Sequence, residues 1–184
     1  MPLDGLTLSF LSNELRDALV GGRIDRIVQP ERDELNLTIR NNGRNYLLLL
    51  SAGADCARAH LTAQKKIGPL EAPALCMLMR KHLQGGKLTD VRQIGGDRIL
   101  EIDVENRDDL GDLRVRTLIL EIMGRHSNLM LVNWNGKIID SLRHVTDDIS
   151  RVREVLPGLD YQRPPAQDKL PPENLTTEAL TPML

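Results

Sequence analysis

Aromatic side chains are almost missing from this chain. Phe10, Tyr46, Trp134 and Tyr161 make up 2 % of its 184 residues. That scarcity excludes a protein that splays successive bases onto a row of rings, and it leaves the core to Leu, Ile, Val and Met. Cysteine is nearly absent too. Cys56 and Cys76 lie beside apolar residues with no close-spaced partner, which excludes a disulfide framework or a cysteine zinc site and suits buried thiols in a reducing compartment. No apolar run approaches the ~18 residues of a membrane span, and the opening MPLDGLTLSF lacks the basic start of a signal peptide. The expectation is a cytoplasmic protein with no membrane contact. Neither GxGxxG nor GxxxxGK occurs. His60, His82, His126 and His144 have no partner at metal-ligand spacing, so neither a cofactor nor a metal is expected.

What is present is a 41 % hydrophobic chain of balanced charge, 24 basic against 26 acidic residues. The balance excludes a polybasic tail but not a basic face. From Arg58 to Arg98 there are eight Lys or Arg against three acids, and from Ile99 to Asp112 six acids against Arg107 alone. Glu101, Asp103 and Glu105 alternate along one strand and read as a solvated face rather than a metal site.

Many positions recur at an offset of 64 residues. Leu11, Leu15 and Leu19 return as Leu75, Met79 and Leu83. Arg16 returns as Arg80, Gly21-Gly22 as Gly85-Gly86, Ile27 as Val91 and Gln29 as Gln93. Apolar residues every fourth position mark a helix face, and a glycine pair ends each helix through the left-handed cap conformation. The spacing predicts helices over 7–20 and 74–84. Strands are predicted over 23–29, 34–40, 45–50, 87–94, 98–105, 115–122, 127–133 and 137–144. The expected fold is α+β, an antiparallel β-sandwich or barrel flanked by helices and made of two related halves, about 7–62 and 71–144, within a domain of residues 1–156. Six of the ten prolines lie at or after Pro157, so 157–184 reads as a linker or the approach to a further domain.

Four clusters carry candidate chemistry. Gly95-Gly96-Asp97-Arg98 forms a turn between strands: the Arg fork suits phosphate or a base edge and the Asp can orient it, although an ordinary hairpin turn has the same composition. In Met123-Gly124-Arg125-His126-Ser127-Asn128, the Arg and His suit phosphates, and the Ser and Asn suit sugar, base or backbone. Arg58 and His60, with Lys65 and Lys66, form the third cluster. Arg80, Lys81 and His82 end the second helix, where they also complement its dipole. Pro2 offers a latent amino-terminal nucleophile, and Ser127 lacks the context of a catalytic elbow.

In combination, Asp4-Gly5, Gly21-Gly22-Arg23-Ile24 with Gln29-Pro30, Arg58-Ala59-His60-Leu61-Thr62, Cys76 to Leu83 with Gly85-Gly86, Asp97-Arg98 and Met123 to Asn128 resemble the NFACT amino-terminal domain of ribosome-quality-control factors. Older usage calls bacterial members fibronectin-binding proteins. The resemblance implies a fold like the amino-terminal domain of formamidopyrimidine-DNA glycosylases. It also implies a non-enzymatic module that binds tRNA and the rRNA of an obstructed large ribosomal subunit, so that the stalled peptide receives a carboxy-terminal tail; alanine tRNA is the expected partner in bacteria, and DNA is not. It places tRNA engagement on Asp97, Arg98 and Asp4. Arg125, His126, Ser127, Asn128, Arg58, His60, Arg80 and Lys81 would support it. Pro2 is followed by Leu3 where the glycosylases have glutamate, so base excision is rejected. A surface adhesin binding fibronectin and a Pro2-based nucleic-acid enzyme are the rival readings.

Overall fold

The computed structural model describes residues 5–95, 98–146 and 153–164. The element order is α1 (Gly5–Leu19), β1 (Arg23–Glu31), β2 (Glu34–Asn41), β3 (Arg44–Ser51), β4 (Arg58–Thr62), α2 (Ala74–Leu83), β5 (Lys87–Gln93), β6 (Ile99–Arg107), β7 (Leu113–Glu121), a single 3-10 turn (Gly124–His126), β8 (Asn128–Val132) and β9 (Ile138–Ser141). Eight strands and both helices lie where hydrophobic period and turn residues put them. β4 was not expected: its five residues are short, and Arg58, His60 and Thr62 leave little apolar alternation to read.

The architecture is α+β. The strands form one nine-stranded antiparallel sheet in the order β4-β3-β2-β1-β5-β6-β7-β8-β9, not the two separately bonded sheets of a sandwich. A closed barrel would need β4 and β9 to pair, and among the described residues they are the two edges. Each half is a meander of hairpins, and the halves meet at one cross-strand pair, Arg23 with Lys87.

The glycine pairs make that junction possible, each glycine for its own reason. Gly21 and Gly85 take φ of +95° and +85°, a conformation in which a Cβ clashes. Gly22 and Gly86 are needed for space: a Cβ there would sit 2.8 Å from the Ile39 side chain and 2.7 Å from that of Val104, respectively. The backbones then exchange four hydrogen bonds. Gly21 N–H donates to Leu88 O (2.8 Å), and Gly85 N–H to Ile24 O (2.7 Å). Ile24 N–H donates to Gly86 O (2.9 Å), and Leu88 N–H to Gly22 O (2.9 Å).

Each helix packs on the other half's first strand, α1 on β5 and α2 on β1. Arg16 Nε donates to Val91 O at 2.9 Å and Arg80 Nε to Ile27 O at 2.8 Å. Asn41 Nδ2 bonds the Ala18 carbonyl at the end of α1, and Asn106 Nδ2 the His82 carbonyl at the end of α2. The main core fills the space between: Leu8, Leu15 and Leu19 of α1, Leu75, Cys76, Met79 and Leu83 of α2, and the inward residues of the strands. Burial raises the Cys76 thiol pKa, as expected for an inert core cysteine.

A second core of Ile99, Ile119, Met130, Val132, Ile138 and Val155 lies on the other face of β6–β9. The segment from Arg153 closes it. Leu159 O accepts from Ile138 N–H, Gly158 N–H donates to Ile138 O, and Tyr161 N–H donates to Gly136 O, each at 2.8 Å. Glu121, fully buried, accepts from Tyr161 Oη at 2.8 Å and pairs with Arg153. The domain therefore runs past 157: Gly158 to Tyr161, read from sequence as linker, are bonded into its second core. The proline count hid this, because Pro157-Gly158 is a turn onto β9.

The acidic strand is a second correction. Glu101 is buried. Arg92 donates to Glu101 Oε1 and to Asp103 Oδ2, both at 2.7 Å. The hydrogen bond to Asp103 is the largest of the effects that raise the Arg92 pKa. The face is internally neutralised, not solvated.

Gly22→Ala and Gly86→Ala should each cost about 2 kcal/mol by overpacking the junction, a fall in Tm of roughly 4–8 °C for a domain of this size. Gly53→Ala, whose nearest contact is 3.4 Å, should shift stability by less than about 0.5 kcal/mol. Calorimetry on the three variants compares them directly.

Candidate nucleic-acid interface

Arg98 immediately precedes β6, and its carbonyl accepts from Ile122 N–H at 2.8 Å. This bond sets the β5–β6 turn beside the turn that joins β7 to β8. Gly124, at φ +56°, starts that second turn, and Arg125 and His126 project from it, both exposed. Arg125 Nε lies 3.4 Å from His126 Nε2. Among the described residues no carboxylate pairs with Arg98 or Arg125. Asp97 and Asp4, the other two residues assigned to tRNA, lie outside the described residues, as does Pro2. The start of α1 is nonetheless anchored near the same turn, because Gln93 Nε2 at the end of β5 bonds the Gly5 carbonyl at 2.9 Å.

Ser127 and Asn128 do not face a ligand. Ser127 is fully buried and Asn128 nearly so. Ser127 Oγ accepts from Met123 N–H at 2.8 Å. Asn128 Oδ1 accepts from Leu129 and Arg143 N–H, and its Nδ2 donates to Arg143 O. Their polar atoms are occupied in shaping the turn that presents Arg125 and His126. Sequence alone marks them as polar but cannot say which way they point.

Arg58 and His60 lie on edge strand β4, side by side on one face. Arg58 Nε donates to His60 Nε2 at 3.1 Å and Nη1 to Cys56 O at 3.0 Å. Because an Arg nitrogen only donates, His60 Nε2 must accept. Its Nδ1 lies 3.1 Å from Leu61 O.

The link between this edge and the Arg98 turn is Arg143, which sequence reading passed over as one cation inside a predicted strand. Its Nη1 donates to Ala52 O at 2.9 Å and also to Ser127 O. Its Nη2 reaches Asp33 Oδ1 at 3.4 Å. Ala52 follows Ser51, the cross-strand partner of Arg58. Arg143 thus fastens the segment that follows β3, beside Arg58 of β4, to the turn that bears Arg125 and His126.

Arg80 and Lys81 do not join them. Arg80 is held by the Ile27 carbonyl inside the fold. Lys81 neighbours His82, whose carbonyl is bonded by Asn106 at 3.0 Å. Asn106 is seven residues beyond Ile99 along β6, roughly 23 Å at the rise of a strand. His82 is a weak cation in any case: burial, then the Arg116 and Lys81 charges, lower its pKa. Among the described residues there is no group of three or more His, Cys, Asp or Glu able to hold a metal, and no helix long and apolar enough to cross a membrane.

Arg143→Ala should leave the Ser127 and Ala52 carbonyls short of a donor and cost about 2–3 kcal/mol. Arg125→Ala, on an exposed turn, should change stability by under about 0.5 kcal/mol. Urea unfolding of the two variants separates the clamp from the surface cation.

Comparison with known proteins shows the family and the fold. A family model described as NFACT N-terminal and middle domains matches residues 4–184. The chain is 44 % identical over 173 residues to the Rqc2 homolog RqcH of Bacillus subtilis, covering 94 % of this chain and 30 % of that protein. It is 28 % identical to the human ribosome quality control complex subunit NEMF, covering 91 % of this chain and 14 % of that one. The chain thus spans about a third of the length of its bacterial curated relatives. A crystal structure of the N-terminal domain of the fibronectin-binding protein PavA from Streptococcus pneumoniae superposes with TM-score 0.87 at 40 % identity, over 97 % of this chain and 70 % of that one. The N-terminal part of the fibronectin/fibrinogen-binding protein of Streptococcus suis gives 0.86 at 41 %, over 97 % and 67 %. The match over nearly the whole chain, in sequence and in fold, makes this protein a member of the NFACT N-terminal and middle domain family.

Proposed function

We propose that this chain is the tRNA- and ribosome-binding module of a cytoplasmic quality-control factor that recruits tRNA to obstructed large ribosomal subunits for carboxy-terminal tailing of stalled chains. The observation that carries the reading is the exposed turn of Arg125 and His126 set beside Arg98 and fastened through Arg143 to the segment next to Arg58, with no carboxylate paired to Arg98 or Arg125 among the described residues. Cations left without internal partners keep their attraction for phosphate oxygens. Folded RNA, read by shape and backbone, suits a chain so poor in aromatic rings.

In this reading Arg98 makes a directional contact to tRNA phosphate or base, and Asp97 orients it. Asp4 adds a polar group to the tRNA contact in the same reading. Arg125 and Arg58 extend the positive surface, and His60 serves as a hydrogen-bonding group. Arg80 and Lys81 are left out because the fold holds them elsewhere. The module performs no covalent step: peptide transfer falls to the ribosome, and alanine tRNA is the partner if the source is bacterial. The two halves derive from one duplicated motif, a reading supported by the reciprocal bonds of the glycine pairs and of Arg16 and Arg80. The likeness to the glycosylase amino-terminal domain belongs to the same reading.

In the full-length protein, Asp97→Ala with Arg98→Ala should abolish tRNA recovery with affinity-purified large subunits while leaving the Tm within a few degrees of the parent. Undiminished tRNA in those complexes would refute the assignment.

A further inference from the structure

Trp134, the only tryptophan in the chain, lies on the β8–β9 turn, at the end of the sheet remote from Arg98. It is 46 % exposed. The Arg114 guanidinium sits 4.5 Å from its ring centroid and that of Arg116 5.7 Å, both within cation–π range. The two arginines are satisfied differently. Arg114 pairs with Asp108 at 3.3 Å. Arg116, only 4 % exposed, donates from Nε to Asn133 Oδ1 at 3.2 Å. Its Nη1 is buried and meets no acceptor among the described residues.

Asp108 and Asp109 act on the Arg116 charge from nearby, but a buried N–H with no acceptor remains unfavourable until one completes it. The exposed Lys81, in the last turn of α2, adds one positive charge nearby. Asn106 faces Arg114 across the β6–β7 ladder and bonds the His82 carbonyl, which brings the end of α2, with Lys81 and His82, to the same place. The planar fork of Arg116 matches the paired oxygens of a phosphate. The partly open indole beside it offers a surface for a flat ring. The neighbouring acids Asp108, Asp109 and Asp112 would repel a long phosphate track, so the place suits one phosphate and one base.

We infer that Arg116, Lys81, Arg114 and Trp134 form a second site that takes a single nucleoside monophosphate unit, its phosphate on Arg116 and its base against Trp134. The unit is either a free nucleotide or one residue of an RNA strand. Trp134 closes over Arg116, and its turn, with Gly136 at φ +84°, allows the ring to shift so that the phosphate reaches Nη1. The site is independent of the reading of Arg98.

The single tryptophan is its own reporter. Emission is titrated with AMP, an adenine oligoribonucleotide, inorganic phosphate and a glutamate-rich peptide. Saturable quenching is expected with AMP or the oligonucleotide. Oligonucleotide affinity more than tenfold above that of AMP assigns an RNA strand, and comparable affinities assign a free nucleotide. Arg116→Met, which keeps length without charge, should weaken binding at least tenfold. Arg114→Ala and Lys81→Ala, at less buried positions, make the same test where the Met variant does not fold. Arg98→Ala with Arg125→Ala should leave the quenching unchanged, so the two sites fail or stand separately. No saturable change with AMP or oligonucleotide overturns the inference. So does a response to the acidic peptide alone, phosphate as effective as AMP, or folded Arg116, Arg114 and Lys81 variants that bind like the parent.

Discussion

Two antiparallel meanders are joined through a seam of four backbone hydrogen bonds, exchanged between Gly21, Gly22 and Ile24 on one side and Gly85, Gly86 and Leu88 on the other. The seam is short, since β1 and β5 share only the Arg23–Lys87 pair. It tolerates no side chain at Gly22 or Gly86 without displacing Ile39 or Val104. Everything distal follows from it. Once the seam forms, each helix leaves its own glycine turn directed onto the other half, and Arg16 and Arg80 lock that crossing by bonding carbonyls of β5 and β1. The shared core between helices and sheet then brings loops distant in sequence to common ends.

One of those ends is the candidate RNA surface. Its cations come from β4, the β5–β6 turn and the β7–β8 turn, and Arg143 fastens the first group to the last through the carbonyls of Ala52 and Ser127. The division of labour is physical. Buried polar residues such as Ser127 and Asn128 spend their hydrogen bonds on the turn's shape, and exposed ones such as Arg125 remain open to a partner. Elsewhere the protein neutralises its charges internally: Arg92 against Glu101 and Asp103, and Arg153 with Tyr161 against Glu121. That contrast is why Arg98 and Arg125, paired with no carboxylate among the described residues, are informative.

Much of the fold was legible in the sequence because it rests on local chemistry. Leucines at helical spacing, glycine pairs after each helix and Asn-Gly turns between alternating strands each follow from backbone sterics or burial. The cation cluster was legible only as a set of residue types. Arg80 and Lys81 occupy the same basic stretch as Arg58 and Arg98, yet the fold sends them elsewhere, because placement depends on long-range packing that no short window contains. The same limit hid Arg143, whose partners are up to 110 residues away, and the buried state of Glu101 and Glu121. Proline counting misplaced the domain end because Gly158 to Tyr161 pair with β9 through backbone atoms, which leave no mark on composition.

The central claim is that RNA engages the turns bearing Arg98 and Arg125 and the β4 segment bearing Arg58 that Arg143 fastens to them. Ultraviolet crosslinking of the ribosome-bound full-length protein, followed by mass spectrometry of the RNA-linked peptides, tests it most directly. The account predicts crosslinks in the peptides bearing residues 95–98 and 123–126, with a weaker set at 58–62. RNA-linked peptides from elsewhere in the domain, with none from those turns, would contradict it.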